Sequence, residues 1–486
     1  MRCVFRSLFA SKSLLTFGLA LACAAFTLSP AVCVQAQTYT DLANFNGENG
    51  AGSTVLIQAT DGNFYGASGA DTFGNIFRVT PSGEITAIYK FCSQPGCADG
   101  DDPIWGPVLG SDGNLYGVTE TGGSHAGSKT GSGTFYKMTL SGEITTLYNF
   151  CSVTPCTDGQ YPNGIVLGSD GNFYGTAFAG GQFNKGDIFE ISATGELTVL
   201  YSFCAFESCA TGNEPIYPPI QASNGSIYGV TYGGEGVLYE LTPSGTYNVI
   251  HHFCSLSGCT DGFQPTTLAQ GANGNIFGTT VQGGTTGHGT VFEVTATNQY
   301  IVLDNLDYLR GSPFGGVVPG NDGNLYGTTI GPGTAENGGT IYKVTPEGRY
   351  TQLYTFSECS ITGYNPNTSL LQGTDGLLYG STPYGGDDTF DGGCGGYGTI
   401  FTFANGIGPS VQPVPVAGPV GQSVLILGNG LTGSTSVTFN GVAAEFTVES
   451  DTYISATVPT GATTGTVSVV TPSGTLNSNP QFVVTK

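Results

Sequence analysis

The stretch "SDGNLYG", Ser111–Gly117, recurs along the chain and decides the fold. Six related stretches occur: "TDGNFYG" (60–66), "SDGNFYG" (169–175), "SNGSIYG" (223–229), "ANGNIFG" (272–278), "NDGNLYG" (321–327) and "TDGLLYG" (374–380). Successive copies are 49 to 58 residues apart. An Asp-Gly or Asn-Gly pair between two apolar runs is typical of a tight hairpin turn. The sequence therefore predicts seven repeats, each containing one such turn.

Each repeat holds four short apolar segments in the same order. In the second repeat they are "PVLG", "LYGVT", "GTFYKMT" and "ITTLYNF", with "SDGN" after the first and "LSGE" after the third. Four antiparallel strands in a repeat of about 50 residues are typical of a propeller blade. We predict an all-β fold, a seven-bladed β-propeller, in preference to an open solenoid.

The ends of the repeat region favour a closed ring. The seventh repeat stops after its third strand, "GTIFTFANG" (398–406), and "YTDLANF" (39–45) resembles the missing fourth strand. An N-terminal strand in that place would remove the open sheet edges that invite aggregation. We predict that the propeller spans residues 38–404.

The strand order assigns the loops to two faces. The first-to-second and third-to-fourth turns are short and alike in all repeats, and we call their side the short-turn face. The second-to-third loops and the loops between blades differ in length and sequence, and we call their side the variable face. Binding residues concentrate on variable loops carried by a rigid scaffold, so the variable face is the predicted functional face.

The cysteines predict an oxidising compartment. Thirteen are present, three of them within residues 1–36. The other ten form four pairs with the spacing C-x4-C and two cysteines that stand apart: Cys92 and Cys97, Cys151 and Cys156, Cys204 and Cys209, Cys254 and Cys259, then Cys359 and Cys394. An even number at a repeated spacing indicates disulfides rather than metal sites, although the pairing of the last two stays open.

The N-terminus and the charge agree with export. Basic residues precede the apolar run 14–28, and "VQA" (34–36) fits a cleavage site, so residues 1–36 are the predicted signal peptide. The predicted location is extracellular, periplasmic or at the cell surface. The net charge of −23 argues against a nucleic-acid partner. We expect a monomer with no membrane-spanning segment in the mature chain.

Several residues are candidates for chemistry, each with a plainer alternative. The repeated aspartates of the turns fit a backbone-capping role better than a calcium site. The densest acidic cluster, Asp387, Asp388 and Asp391, is the first choice for a cation, and calcium is the one cofactor considered. Ligand-binding candidates on the variable face are Trp105, Asp101, Asp102, His125 and His288. No residue is singled out as catalytic.

The repeat pattern "DGNLYG", a "GG" loop, "GTFYKMT" and "SGEITTLYNF" resembles the bacterial tandem-repeat family called GloVer, over residues 44–403. The resemblance implies an exported protein and an architecture more than an activity. After a Pro/Gly-rich junction, residues 405–486 resemble the immunoglobulin-like IPT/TIG family. The residues that carry this second resemblance are "GNGL" (428–431), "VTFNG" (437–441), "VPTGA" (458–462), "TG" (464–465) and "TPSG" (471–474). It implies a small β-sandwich used for binding or spacing, with no catalytic residues.

The predicted function is recognition of an extracellular polysaccharide or protein through the disulfide-bonded loops of the variable face. One alternative is a glycan-cleaving enzyme that uses loop carboxylates on the same face. The other is a passive structural or adhesion component. Fold alone does not separate these, because propellers host many functions.

Overall fold

The repeated turns produce seven antiparallel four-stranded sheets. The computed structural model describes residues 37–52, 55–69, 73–124, 131–205, 209–331, 338–386 and 395–485. In six sheets the four strands are consecutive in sequence, and in the seventh Thr38–Asn44 pairs with Thr399–Ala404 as the outermost strand. The predicted fold class, a seven-bladed β-propeller followed by a small β-sandwich, is confirmed.

Each blade is numbered by its repeat, and its strands run from the innermost outward. Blade 1 contains Ile57–Gln58, Phe64–Ser68, Asn75–Val79 and Ile85–Lys90. Blade 2 contains Val108–Leu109, Leu115–Thr119, Thr134–Met138 and Ile144–Asn149. Blade 3 contains Gln160–Leu167, Phe173–Ala179, Asp187–Ile191 and Leu197–Ser202. Blade 4 contains Ile220–Gln221, Ile227–Thr231, Val237–Leu241 and Tyr247–His252. Blade 5 contains Phe263–Gln270, Ile276–Gln282, Thr290–Val294 and Tyr300–Asn305. Blade 6 contains Val317–Pro319, Leu325–Thr329, Thr340–Val344 and Tyr350–Thr355. Blade 7 contains Leu371–Gln372, Leu378–Thr382, Thr399–Ala404 and Thr38–Asn44. Two short 3-10 turns, Pro95–Cys97 and Ser257–Cys259, lie within disulfide loops.

Seven hydrophobic clusters fill the spaces between neighbouring blades and close the ring. Six join consecutive blades, and the seventh joins Tyr379 and Ile400 of blade 7 to Phe64 and Phe77 of blade 1. The tyrosine of the repeated stretch belongs to these clusters in most blades. Burial of large apolar side chains between sheets is therefore what holds the ring together.

The last glycine of the repeated stretch makes room for an aromatic ring. A Cβ atom added to Gly117 would lie 2.2 Å from the hydroxyl of Tyr136, and one added to Gly175 would lie 2.4 Å from the ring of Phe189. Both rings come from the third strand of the same blade. This glycine is thus required by packing and not by the turn itself.

The C-terminal residues form a sandwich of two four-stranded sheets and a parallel strand pair. Its strands are Gln412–Val414, Ala417–Pro419, Ser423–Leu427, Ser436–Phe439, Val442–Ala443, Phe446–Val448, Tyr453–Thr457, Val467–Thr471, Gly474–Asn477 and Val483–Thr485. Leu427 and Tyr453 extend the apolar cluster between blades 1 and 2. Residues 36–486 form one compact unit, so the boundary between residues 404 and 405 stays a prediction.

Candidate functional site

The repeated acidic turn uses its carboxylate for its own backbone and side chains. In blade 1, Asp61 accepts hydrogen bonds from the Asn63 amide N–H (3.1 Å), the Asn63 side chain (2.8 Å) and the Tyr65 hydroxyl (2.7 Å). The tyrosine bond recurs in blades 2, 3, 6 and 7 at 2.7 to 3.0 Å. In blade 5 both partners change, to Asn273 and Phe277. In blade 4 the aspartate alone changes, to Asn224, and its side-chain amide donates to the hydroxyl of Tyr228 (3.3 Å), so the contact between turn and tyrosine is kept.

The first residue of the turn links neighbouring blades. The amide N–H of Thr374 in blade 7 donates to Oε1 of Gln58 in blade 1 (3.0 Å). Three more glutamines accept the same bond from the preceding blade at 2.7 to 3.1 Å: Gln221, Gln270 and Gln372. The short-turn face is therefore a hydrogen-bonded rim of the ring.

The sandwich packs against this short-turn face. Ser410 donates its backbone N–H to the carbonyl of Thr374 (2.9 Å), and the hydroxyl of Thr452 donates to the carbonyl of Thr60 (2.6 Å). A cavity of about 320 Å³ separates the sandwich from blades 3 to 5, and its described lining holds no charged side chain. The sandwich therefore covers part of the short-turn face, around Thr60 and Thr374, while turn residues such as Asp112 and Asp322 stay exposed.

Four disulfides close loops of the variable face, and all four were predicted. They join Cys92 to Cys97, Cys151 to Cys156, Cys204 to Cys209 and Cys254 to Cys259. Each bond spans five positions in the sequence, so each closes a loop locally and none connects one blade to another.

Two cysteines differ from these four pairs. Cys359 is disulfide-bonded. Cys394 lies outside the described residues, so its pairing with Cys359 stays a prediction.

Buried aspartates hold the disulfide loops in place. Asp99, which is 0% exposed, accepts hydrogen bonds from the Tyr89 hydroxyl (2.6 Å), Ser93 and Gln94. Although burial raises the pKa of the Asp99 carboxyl, these bonds bring it below its usual value. Asp158 makes the same bonds in the next loop, so both carboxylates order their loops rather than face a ligand.

The loop between blades 4 and 5 replaces the tyrosine of this arrangement with a histidine. Nε2 of His251 lies 3.2 Å from Oδ2 of Asp261, and the imidazole stacks on Tyr300 at 3.8 Å between ring centroids. Burial lowers the pKa of His251 despite the neighbouring carboxylate, so the ring is neutral at pH 7. The histidine therefore continues the loop-holding arrangement.

The predicted cation cluster, Asp387, Asp388 and Asp391, lies outside the described residues, as does His125. In the part of the chain that is described, no group of three or more His, Cys, Asp or Glu side chains is arranged to hold a metal ion. The cation site and the ligand role of His125 stay predictions.

The family model of the Gloeobacter/Verrucomicrobia repeat matches residues 22–234 and 205–401. The chain belongs to this family. The IPT/TIG domain model matches residues 409–484. Together with the disulfides, these matches mark the Gloeobacter/Verrucomicrobia repeat protein as extracellular in type. No curated protein matches the sequence.

Three solved structures that resemble the repeat protein share 11% to 14% sequence identity with it. An oligogalacturonate lyase from Vibrio parahaemolyticus aligns at a TM-score of 0.48 and 12% identity, covering 76% of this chain and 97% of its own. A Bacteroides thetaiotaomicron protein of unknown function gives 0.42 and 11%, covering 76% of each chain. TolB from Acinetobacter baumannii gives 0.36 and 14%, covering 63% and 64%. These likenesses carry no argument about activity.

Membrane-spanning helices are not found in the described part of the repeat protein, where no helix is long and apolar enough to cross a bilayer. The predicted signal peptide, residues 1–36, lies outside the described residues and stays a prediction.

Exposed apolar side chains of the repeat protein are concentrated on the variable face. Of the fourteen large hydrophobic side chains exposed in the described residues, three lie in the sandwich. The other eleven all lie in second-to-third loops or in loops between blades: Phe73, Ile104, Val153, Phe183, Tyr232, Leu256, Tyr308, Leu309, Phe314, Ile361 and Tyr384. The exposed apolar side chains of the described propeller are thus confined to the variable face.

Trp105 lies in a loop of this face, just before the innermost strand of blade 2. Its ring contacts Tyr217 of blade 4 edge-on, with the centroids 5.7 Å apart, and Gly164 of blade 3 leaves the space that it fills. Trp105 thus spans three blades and is partly buried. Its role in ligand binding stays a prediction.

Asp101 and Asp102 lie beside a third carboxyl that the sequence reasoning missed. The backbone N–H of Glu120 donates to the carbonyl of Asp102 (3.0 Å). Burial, and then the negative charge of Asp102, raise the pKa values of both Asp101 and Glu120, and burial raises that of Asp102. The three carboxyls form one half-buried acidic group on the variable face. Glu120 was recognisable only as a charge in a position that is apolar or aromatic in blades 4 to 7.

His288 contacts Tyr308 rather than any acidic side chain among the described contacts. The imidazole meets the phenol ring edge-on at 5.5 Å between centroids, and Tyr308 is 49% exposed. This places His288 within the exposed aromatic surface, and its role as a ligand contact stays a prediction.

Asp187, which begins a strand at the edge of the variable face, is entirely buried. It begins the third strand of blade 3 opposite Ala177, where blades 2 and 6 have hydrogen-bonded threonine pairs. Neither carboxyl oxygen has a hydrogen-bond partner among the described residues. Burial, and then the charge of Asp158, raise the pKa of Asp187 well above its usual value. It is therefore out of reach of a ligand on the surface.

A cleft between blades 6 and 7 opens on the variable face. It has a volume of about 240 Å³ and is lined by Phe314, Ile330, Asn365, Asn367, Pro383 and Tyr384. Sequence reasoning missed it because the lining residues come from four separate loops. One signal could have found Phe314. A proline precedes the innermost strand in blades 2 and 6, and an apolar residue follows it in both, Ile104 after Pro103 and Phe314 after Pro313.

Proposed function

We propose that this protein binds an extracellular ligand, a polysaccharide or a protein, through its variable face. The observation that carries the proposal is the placement of all eleven exposed large apolar side chains of the described propeller in the loops of that face. The sandwich covers part of the opposite face. A surface of exposed aromatic rings is suited to sugar rings or to a protein partner.

Three of the loops that carry these side chains, those with Ile104, Val153 and Leu256, are held in a fixed arrangement. A disulfide closes each of the three, and the buried aspartates Asp99, Asp158 and Asp261 hydrogen-bond to their backbone. A binding surface that is ordered before the ligand arrives loses less conformational entropy on binding. This supports recognition rather than a purely structural role.

The test is a glycan array with the purified protein, with and without calcium, beside a screen for protein partners. Tyr232→Ser and Tyr308→Ser remove aromatic rings from the variable face, and Val420→Ser removes an exposed apolar group from the sandwich as a matched control. We expect the face variants to weaken binding and the control to leave it unchanged. Binding lost only in Val420→Ser would contradict the proposal, and no binding to any glycan or protein would favour the passive structural role.

Glycan cleavage is the second candidate, favoured by the acidic group of Asp101, Asp102 and Glu120. A glycosidase needs one protonated and one ionised carboxyl, and raised pKa values beside a like charge are one way to obtain them. In a hydrolysis assay, Asp102→Asn and Glu120→Gln are expected to abolish any activity, while the exposed Glu235→Gln on the same face leaves it intact. Absence of hydrolysis across a neutral and acidic polysaccharide panel would eliminate this candidate.

A further inference from the structure

We infer that the cleft between blades 6 and 7 is a subsite for an uncharged polysaccharide. The inference rests on the proposed function and names the ligand class and the place on the variable face. It depends on three features of the cleft: two exposed aromatic rings, fixed amide groups, and a described lining without charge.

The two aromatic rings stand on opposite blades of the cleft. Phe314, which is 36% exposed, precedes the innermost strand of blade 6, and Tyr384, which is 46% exposed, follows the second strand of blade 7. Tyr384 stacks on the buried Tyr364, with centroids 5.2 Å apart and 22° between the ring planes. The ring is thus supported from behind while one side stays accessible. An apolar ring face in a fixed position can cover the C–H face of a pyranose.

The amides provide polar contacts at the same place. Asn365 has a left-handed backbone, with φ of 56°, and its Oδ1 accepts the N–H of Gly331 from blade 6 (2.9 Å). The bond fixes the orientation of the amide and leaves its NH₂ group as a donor. Asn367 also lines the cleft. Amide groups can donate to and accept from the hydroxyls of a sugar. A few fixed polar groups within an apolar cleft are typical of small-ligand sites.

Charge selects among polysaccharides. None of the described lining residues is acidic or basic, and the chain as a whole has a net charge of −23. An anionic polymer would find no cation among the described lining residues and would be repelled by the protein as a whole. The chemistry of the cleft therefore matches a neutral glycan chain.

The inference is tested by affinity electrophoresis of the full mature chain through gels containing neutral xyloglucan, glucomannan or laminarin, or anionic polygalacturonate. We expect at least one neutral polysaccharide to retard the protein. Phe314→Ala and Tyr384→Ala should weaken that retardation about tenfold or more, while Tyr384→Phe, which keeps the ring, retains it. Phe183→Ala, at a 40% exposed aromatic residue of the same face in blade 3, tests the rest of the variable face. Val470→Ala is the control that should leave retardation unchanged, since Val470 is 39% exposed and lies in the sandwich. Thermal unfolding checks that each variant is folded.

The outcomes separate this inference from the proposed function. Retardation by a neutral polysaccharide that survives both alanine variants of the cleft and is lost in Phe183→Ala overturns the subsite and keeps the variable face as the binding surface. Retardation by polygalacturonate alone overturns the neutral ligand class. Retardation by none of the four overturns the inference, and the protein-partner screen then decides the proposed function.

Discussion

The buried carboxyl of Asp187 predicts a stability gain that depends on pH. Replacing Asp187 and its neighbour Ala177 with threonine would give blade 3 the pair that blades 2 and 6 have, Thr119 with Thr134 and Thr329 with Thr340, each at 2.8 Å between hydroxyl oxygens. The double variant should be more stable than the natural protein at neutral pH. Both positions are 0% exposed, so the change adds no contact with solvent.

The magnitude is set by the groups involved. A buried polar group without a partner costs about 1–3 kcal/mol, and a new hydrogen bond between hydroxyls contributes about 0.5–1.5 kcal/mol. The expected gain is therefore about 2–4 kcal/mol at pH 8. Because the pKa of Asp187 is raised in the folded protein, the folded chain keeps a proton that the unfolded chain releases above its ordinary pKa of about 3.9. The natural protein loses stability as the pH rises above that value, so the gain of the variant should be smaller at pH 4.

The assay is guanidinium unfolding at pH 4 and pH 8, followed by the fluorescence of the single tryptophan, with disulfides intact. Asn75→Thr is the matched control, because Asn75 occupies the same place in blade 1, is 0% exposed and has no partner for either amide atom among the described residues, yet carries no charge. Its effect should not change with pH. Equal gains for the Asp187 variant at both pH values, or a loss, would refute the reasoning.

Three further predictions concern other buried polar groups. Tyr342→Phe should stabilise the protein by about 1 kcal/mol, because the buried hydroxyl has no partner in the described structure. Tyr65→Phe should destabilise the protein, because it removes the hydrogen bond from the tyrosine hydroxyl to Asp61 of its turn. Thermal unfolding of both variants checks this. Glu240→Gln should cost about 1–3 kcal/mol at pH 7. Although burial raises the pKa of Glu240, four hydrogen bonds lower it overall, so its contribution is present above the ordinary pKa and lost as the pH falls; unfolding at pH 3.5 should show a smaller cost. Gln58→Leu should destabilise the ring by about 1–3 kcal/mol, because it leaves the buried N–H of Thr374 unpaired; equal denaturation midpoints for variant and natural protein would contradict this.

The fold could be predicted from the sequence because its signals are local and repeated. The Asp-Gly turn, the alternation of strands and the lone strand at 39–45 each specify a short segment, and seven copies average out the noise of any one. The four C-x4-C pairs are equally local, so Cys156 and Cys209 could be assigned to their partners from spacing alone. Turn chemistry also predicted that the aspartates of the turns cap the backbone of the turns, as the contacts of Asp61 show.

The candidate site was less accessible to sequence reasoning because its residues come from separate loops. Phe314 and Tyr384 come from different blades, and only the closed ring brings them to one cleft. Glu120 is a candidate only because it lies close to Asp102, whose charge raises its pKa. The spacing of the two residues along the chain does not indicate this proximity. The position of the sandwich depends on surface fit, since Thr452 and Ser410 belong to no motif that announces a docking contact.

The place where the sandwich docks has a mechanical consequence. It contacts Thr60 of blade 1 and Thr374 of blade 7, the two blades that meet where the ring closes. A pull on the C-terminal module would therefore be shared by both sides of that junction instead of peeling one blade from its neighbour. If a ligand is bound on the variable face, a force between ligand and sandwich would pass through the junction of blades 1 and 7. The sandwich contacts both blades of that junction.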